Sequence, residues 1–102
     1  MRIEDLRGRI DVIDDQLVRL LNVRVACAVE VGRLKHEAGL PVYQPEREAQ
    51  VLAGVRKSAK ELAGPLEAEA VVRIFERIID EARRAERAAS GREEGLGPAI
   101  GE

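Results

Sequence analysis

The 102-residue sequence has no tryptophan and only one each of phenylalanine, tyrosine, cysteine and histidine. A single cysteine excludes an intrachain disulfide. Cys27 sits in an aliphatic run without a CxxC pattern or a nearby histidine, and reads as a buried structural thiol. His36, next to Lys35 near an expected helix end, reads as a solvated imidazole rather than a catalytic one. There is no Ser-His-Asp set, no His/Cys metal cluster and no glycine-rich phosphate loop, so neither metal nor cofactor is expected. No apolar run reaches transmembrane length, and MRIEDLRGRID is too charged for a signal peptide, which makes the cytoplasm the expected location. A formal net charge of −2 gives no global attraction to nucleic acid or anionic membrane. Any anion site must be local.

What the chain does have is charge and aliphatic residues. Charged residues make up 35%, and the rest is rich in Ala, Leu and Val, a composition that favours an all-α protein. In heptads counted from Ile3, the a positions are Ile3, Ile10, Leu17, Arg24, Val31 and Ala38. The d positions are Leu6, Ile13, Leu20, Cys27 and Leu34, so Arg24 alone breaks the stripe. Gly39 suits a helix terminus and Pro41 bars continuation, which predicts a first helix over residues 3–38. Gln44-Pro45-Glu46 announces a second helix that stops before Gly64-Pro65. A third is expected from Leu66 to Ala89, with Val71, Ile74, Phe75, Ile78, Ile79 and Ala82 as its stripe. This divides the chain into a helical domain, 1–89, and a Gly-rich flexible tail or linker stub, 90–102.

A 36-residue helix is about 54 Å long, whereas a compact domain of about 90 residues is roughly 30 Å across. The first helix must overhang its own domain. Its stripe runs the whole length, so an intertwined homodimer in which each long helix covers the other is expected.

Several charges lie on or beside the stripes: Arg7, Arg24 and Lys35 in the first helix, Arg47 and Glu48 in the second, Glu86 in the third. Singly, each has an ordinary explanation. Arg24 could set a coiled-coil register, Arg7 and Lys35 could be solvated, and Arg47-Glu48 could be a charged helix start. Together they put cations on a bundle interior, where an unpaired charge costs several kcal/mol. Such a cluster calls for an anion, and a small dicarboxylate would suit bidentate arginine contacts. Arg24 and Lys35 stand about 16 Å apart along the helix, within reach of one small molecule; Arg7 is about 25 Å from Arg24 and could reach it only from a partner chain.

The order Leu6-Arg7-x-x-Ile10-x-x-Ile13-Asp14, Leu20-Leu21-x-x-Arg24, Val29-Glu30-Val31-Gly32-x-x-Lys35, Pro41-Val42 and Pro45-Glu46-Arg47-Glu48 resembles the all-helical chorismate mutases. The likeness extends to Arg73-Ile74-Phe75 and Ile78-Ile79. It implies a homodimer of three-helix chains that rearranges chorismate to prephenate. It also implies that a partner's arginine at the position of Arg7 binds a substrate carboxylate and that Arg24 holds the carboxylate and ether region. Lys35 and Glu86 would donate to the ether oxygen, Arg47 would support carboxylate binding and Glu48 would accept from the ring hydroxyl. Three positions depart from the pattern: Gln44 stands where Asp is common, Ala82 replaces a frequent Ser, and Glu86 falls where relatives carry Gln or Glu. An ionised Glu86 would repel a developing oxyanion, so it is expected to act protonated. The alternatives are an isochorismate pyruvate-lyase, disfavoured by Glu48, and a mutase-like regulatory domain that works with a shikimate-pathway synthase.

Overall fold

Three helices make up the protein: α1 (Ile3–Glu37), α2 (Pro45–Leu62) and α3 (Ala68–Leu96). They are seen in a computed structural model that describes residues 1–96. The chain is all-α, with no strand among the described residues.

Local chemistry explains the helix ends. The backbone N–H of Arg2 donates to the Asp5 carboxylate at 3.0 Å, satisfying a donor at the start of α1. At its other end, Gly39 adopts φ 70°, a left-handed conformation that glycine takes without Cβ strain. This turn lets Gly39 N–H reach the carbonyl of His36 at 3.2 Å and Leu40 N–H reach that of Lys35 at 2.9 Å, a Schellman motif. Helix α2 starts with Pro45 in its first turn, while the Gln44 side chain makes no capping hydrogen bond. It ends at Ala63, which takes φ 53° without being glycine.

Helix α3 departs from expectation at both ends. It begins two residues later than Leu66 and continues past Ala89 to Leu96. A lone helical glycine costs only about 1 kcal/mol, and Arg92, Glu93 and Glu94 beyond Gly91 are good helix formers. The remainder of the expected tail, 97–102, lies outside the described residues.

Helix α3 is the central element. It packs against both α1 and α2, which do not pack on each other. The only buried hydrophobic residues among those described, Val72 and Ala82, are both on α3. The half-buried positions of α1 (Arg24, Val25, Ala28, Val29, Gly32 and Lys35) all lie in its second half and face α3. The heptad stripe runs along a neighbouring face that overlaps this one at Arg24. Ile3, Leu6, Ile10, Ile13, Leu17 and Leu20 are 45–67% exposed, and Cys27, expected to be buried, is exposed for the same reason: nothing in its own chain covers that face. The molecule measures 60 × 32 × 16 Å with a radius of gyration of 17.9 Å, against about 13 Å for a compact globule of this length. The overhang anticipated from helix length is present.

Candidate active site

Because α1 and α2 flank α3 without meeting, an open cleft of ≈ 1440 Å³ lies between them. Helix α1 contributes Arg24 and Lys35 to its walls, the start of α2 contributes Gln44, Arg47 and Glu48, and α3 contributes Ala82 and Glu86. Residues that are scattered in sequence thus share one space. Arg7 does not join them. It lies on the overhanging half of α1, exposed and paired with Glu4 at 3.4 Å.

Arg24 is on the stripe yet not stranded. Its guanidinium carbon lies 5.7 Å from the centroid of the Phe75 ring, where the ring's negative face offsets part of the lost hydration. This contact leaves the guanidinium N–H donors open to a ligand. Among the described residues, Arg24, Lys35, Arg47 and Arg87 make no ion pair with a carboxylate. Elsewhere many cations are paired, as Arg19 is with Asp15, Arg56 with Glu69 and Arg77 with Glu81, although Arg2, Arg9, Lys60 and Arg73 also lack an ion pair among the described residues. Arg24, Lys35, Arg47 and Arg87 share one place: all four line the cleft.

Of the four carboxyl groups that line it, Glu30, Glu37, Glu48 and Glu86, the last two stand in different environments. Burial pushes the Glu86 pKa up, opposed by the positive charges of Lys35, Arg83 and Arg87 and assisted by the negative charge of Glu48. The protonated form is therefore favoured relative to a free carboxyl, as a hydrogen-bond donor requires. Glu48 instead receives a two-pronged contact from Arg83, whose Nε donates to Oε2 at 3.0 Å while Nη2 engages Oε1.

The sequence reading gave Arg83 no role, and it missed Gly32 as the neighbour of Glu86. The missed signal is periodicity within α3: Ile79, Ala82, Arg83 and Glu86 fall at helical spacings of three and four, so all border one face.

The interhelical cleft thus gathers Arg24, Lys35, Arg47 and Arg87 beside the ion-paired Glu48 and the part-buried Glu86, a charge pattern suited to a small anion. Residues 6–87 match the family described as chorismate mutase type II. A chorismate mutase structure (Form II) from Thermus thermophilus superimposes with a TM-score of 0.77 at 34% identity, over 85% of this chain and 96% of that one. The bifunctional chorismate mutase/prephenate dehydratase of Aquifex aeolicus is 38% identical over 76% of this chain, which spans only 22% of that relative's length. The chorismate mutase of Methanocaldococcus jannaschii is 33% identical over 59% of this chain and 61% of its own. The chain belongs to the chorismate mutase type II family.

Proposed function

We propose that the chain is a chorismate mutase, catalysing the intramolecular Claisen rearrangement of chorismate to prephenate. The observation that carries this reading is the cleft itself, where Arg24, Lys35 and Arg47 stand uncompensated beside Glu48 and Glu86. A dianionic enol-pyruvyl ether supplies the two carboxylates such a site lacks.

The reaction is unimolecular and pericyclic, so it needs no nucleophile or general base. Arg24 and Arg47 would hold the flexible substrate by its carboxylates in a chair-like reactive form, lowering the entropic part of the barrier. As the C–O bond breaks ahead of C–C bond formation, negative charge grows on the ether oxygen. Lys35 and protonated Glu86 would aim donors at that oxygen and so bind the transition state better than the ground state. Glu48 would accept from the ring hydroxyl. Gln44 would hydrogen-bond the same region, and Ala82 would leave one carboxylate contact unmade.

The uncovered stripe of α1 supports an isologous homodimer, with each overhanging half lying on the other chain. Arg7 would then enter the partner's cleft and complete the carboxylate clamp.

The test is direct. The purified chain is given chorismate or isochorismate, and prephenate or salicylate is followed. Prephenate formation well above the spontaneous rate is expected; no acceleration of chorismate loss would reject the reading, and salicylate would point to lyase chemistry.

A further inference from the structure

Two ion pairs tie α2 to α3, alike in geometry and different in surroundings. Arg56–Glu69 is the more exposed pair and takes no part in the cleft. Arg83–Glu48 borders the cleft, with side chains only 37% and 27% exposed. In both pairs the two carboxylate oxygens are engaged by one planar guanidinium, which fixes the plane of the carboxylate as well as its position, but only the second pair does so at the cleft. Asp80, 3.7 Å from Arg83 Nη1, steadies the guanidinium from its own helix.

We propose that Arg83 is a positioning residue: it holds Glu48 in the orientation that recognises the substrate's ring hydroxyl and keeps Glu48 off the substrate-binding cations. The inference rests on the mutase reading above and deepens it.

The chemistry has two parts. An ionised carboxylate has about four lone-pair positions. Arg83 occupies one on each oxygen, leaving Glu48 able to accept from a hydroxyl at a fixed angle. Without Arg83, Glu48 would be an unpaired anion in a cleft that also holds Lys35 and Arg47, both without carboxylate partners. It would swing toward them and cancel positive charge that a dianionic substrate needs. A carboxylate that must accept one hydrogen bond beside a dianion site needs a cation of its own, and Arg83 is that cation.

The experiment uses the full chain with Arg83→Met and Arg83→Lys, each alone and combined with Glu48→Gln. Two substrates are compared: chorismate, and its analogue with hydrogen in place of the ring hydroxyl. Arg83→Met should lower kcat/KM for chorismate by about tenfold or more, the effect of losing hydrogen bonds to a charged group. It should lower kcat/KM for the deoxy analogue by much less, so discrimination between the two substrates shrinks. In the Glu48→Gln background the same change should add no more than about twofold, because the charge that Arg83 neutralises and the two-oxygen fork that it grips are already gone. Arg83→Lys keeps the charge but not the fork, and should fall between. If Arg83→Met does not give a helical, assembled protein by circular dichroism and sedimentation, the Arg83→Lys comparison decides.

Equal losses on both substrates, or full multiplicative losses in the Glu48→Gln background, would overturn the assignment and leave Arg83 as a mere tie between helices. An unmodified chain that turns over neither substrate overturns the mutase reading itself, and this inference falls with it. The two failures are therefore distinct.

Discussion

Gly32 and Glu86 meet where α1 crosses α3: a Cβ placed on Gly32 would lie 3.8 Å from the Glu86 carboxyl carbon and from its Oε2. That is ordinary van der Waals contact, so the position has room for a methyl group and little more.

Gly32→Ala should therefore be accommodated. Alanine is better than glycine in a helix by roughly 0.5–1 kcal/mol, and urea unfolding should register a gain of that order. The added methyl removes more water from Glu86, so the pH at which activity falls should move upward. Gly32→Leu should displace the Glu86 side chain and cost activity while leaving the helical signal intact.

Glu86 is held above the ordinary carboxyl range chiefly by burial. It therefore binds its proton more tightly in the folded chain than in the unfolded one. The stability it contributes is complete at low pH and is lost as pH rises from the ordinary carboxyl value through the raised one. Activity carried by the protonated donor declines over the same interval, and Glu86→Gln should flatten both profiles. A kcat/KM that stays level between about pH 5 and about 9 in the unmodified chain would show that no titrating donor operates.

Arg7→Ala and Arg24→Ala should each abolish most activity, for a reason that mixing exposes. If Arg7 serves the partner's cleft, a chain carrying one change paired with a chain carrying the other has one intact site and one doubly damaged site. Random reassortment should then yield, from two nearly inactive proteins, about a quarter of the unmodified protein's activity. Absence of recovery after verified subunit exchange would place Arg7 outside the site.

Ala63 closes α2 with φ 53°, a left-handed conformation in which its Cβ crowds the backbone. Ala63→Gly should stabilise the protein by about 0.5–1 kcal/mol with unchanged kinetics, measured as a shift in the urea midpoint. Destabilisation by this change would mean that entropy lost from a more flexible unfolded chain outweighs the relieved strain.

The punctuation of the fold was legible because helix ends are local events. Gly39, Pro45 and the Gly64-Pro65 pair mark real boundaries, each through a backbone restriction carried by the residue itself. The polar residues of the cleft were legible for a similar reason, since a cation on an apolar stripe is conspicuous in one dimension. What stayed hidden depends on relations between elements. Heptad counting finds one stripe, so the second face of α1, through Val25, Ala28, Val29 and Gly32, passed as ordinary helix. Arg83 went unremarked because its partner, Glu48, lies 35 residues away, and only the register of α2 against α3 joins them. The expected end of α3 was missed because isolated glycines weaken a helix without stopping it.

The thinness of the single chain's interior has a thermodynamic consequence. With Val72 and Ala82 the only buried hydrophobic residues among those described, a lone chain has little to hold the overhanging half of α1 in place. In the proposed pairing, that half is secured by a second copy, and free energy obtained from a second copy depends on how many copies are present. Dilution would then act on this protein as a denaturant does. Its unfolding midpoint should carry a protein concentration beside the temperature, and the clefts should come apart as the subunits separate.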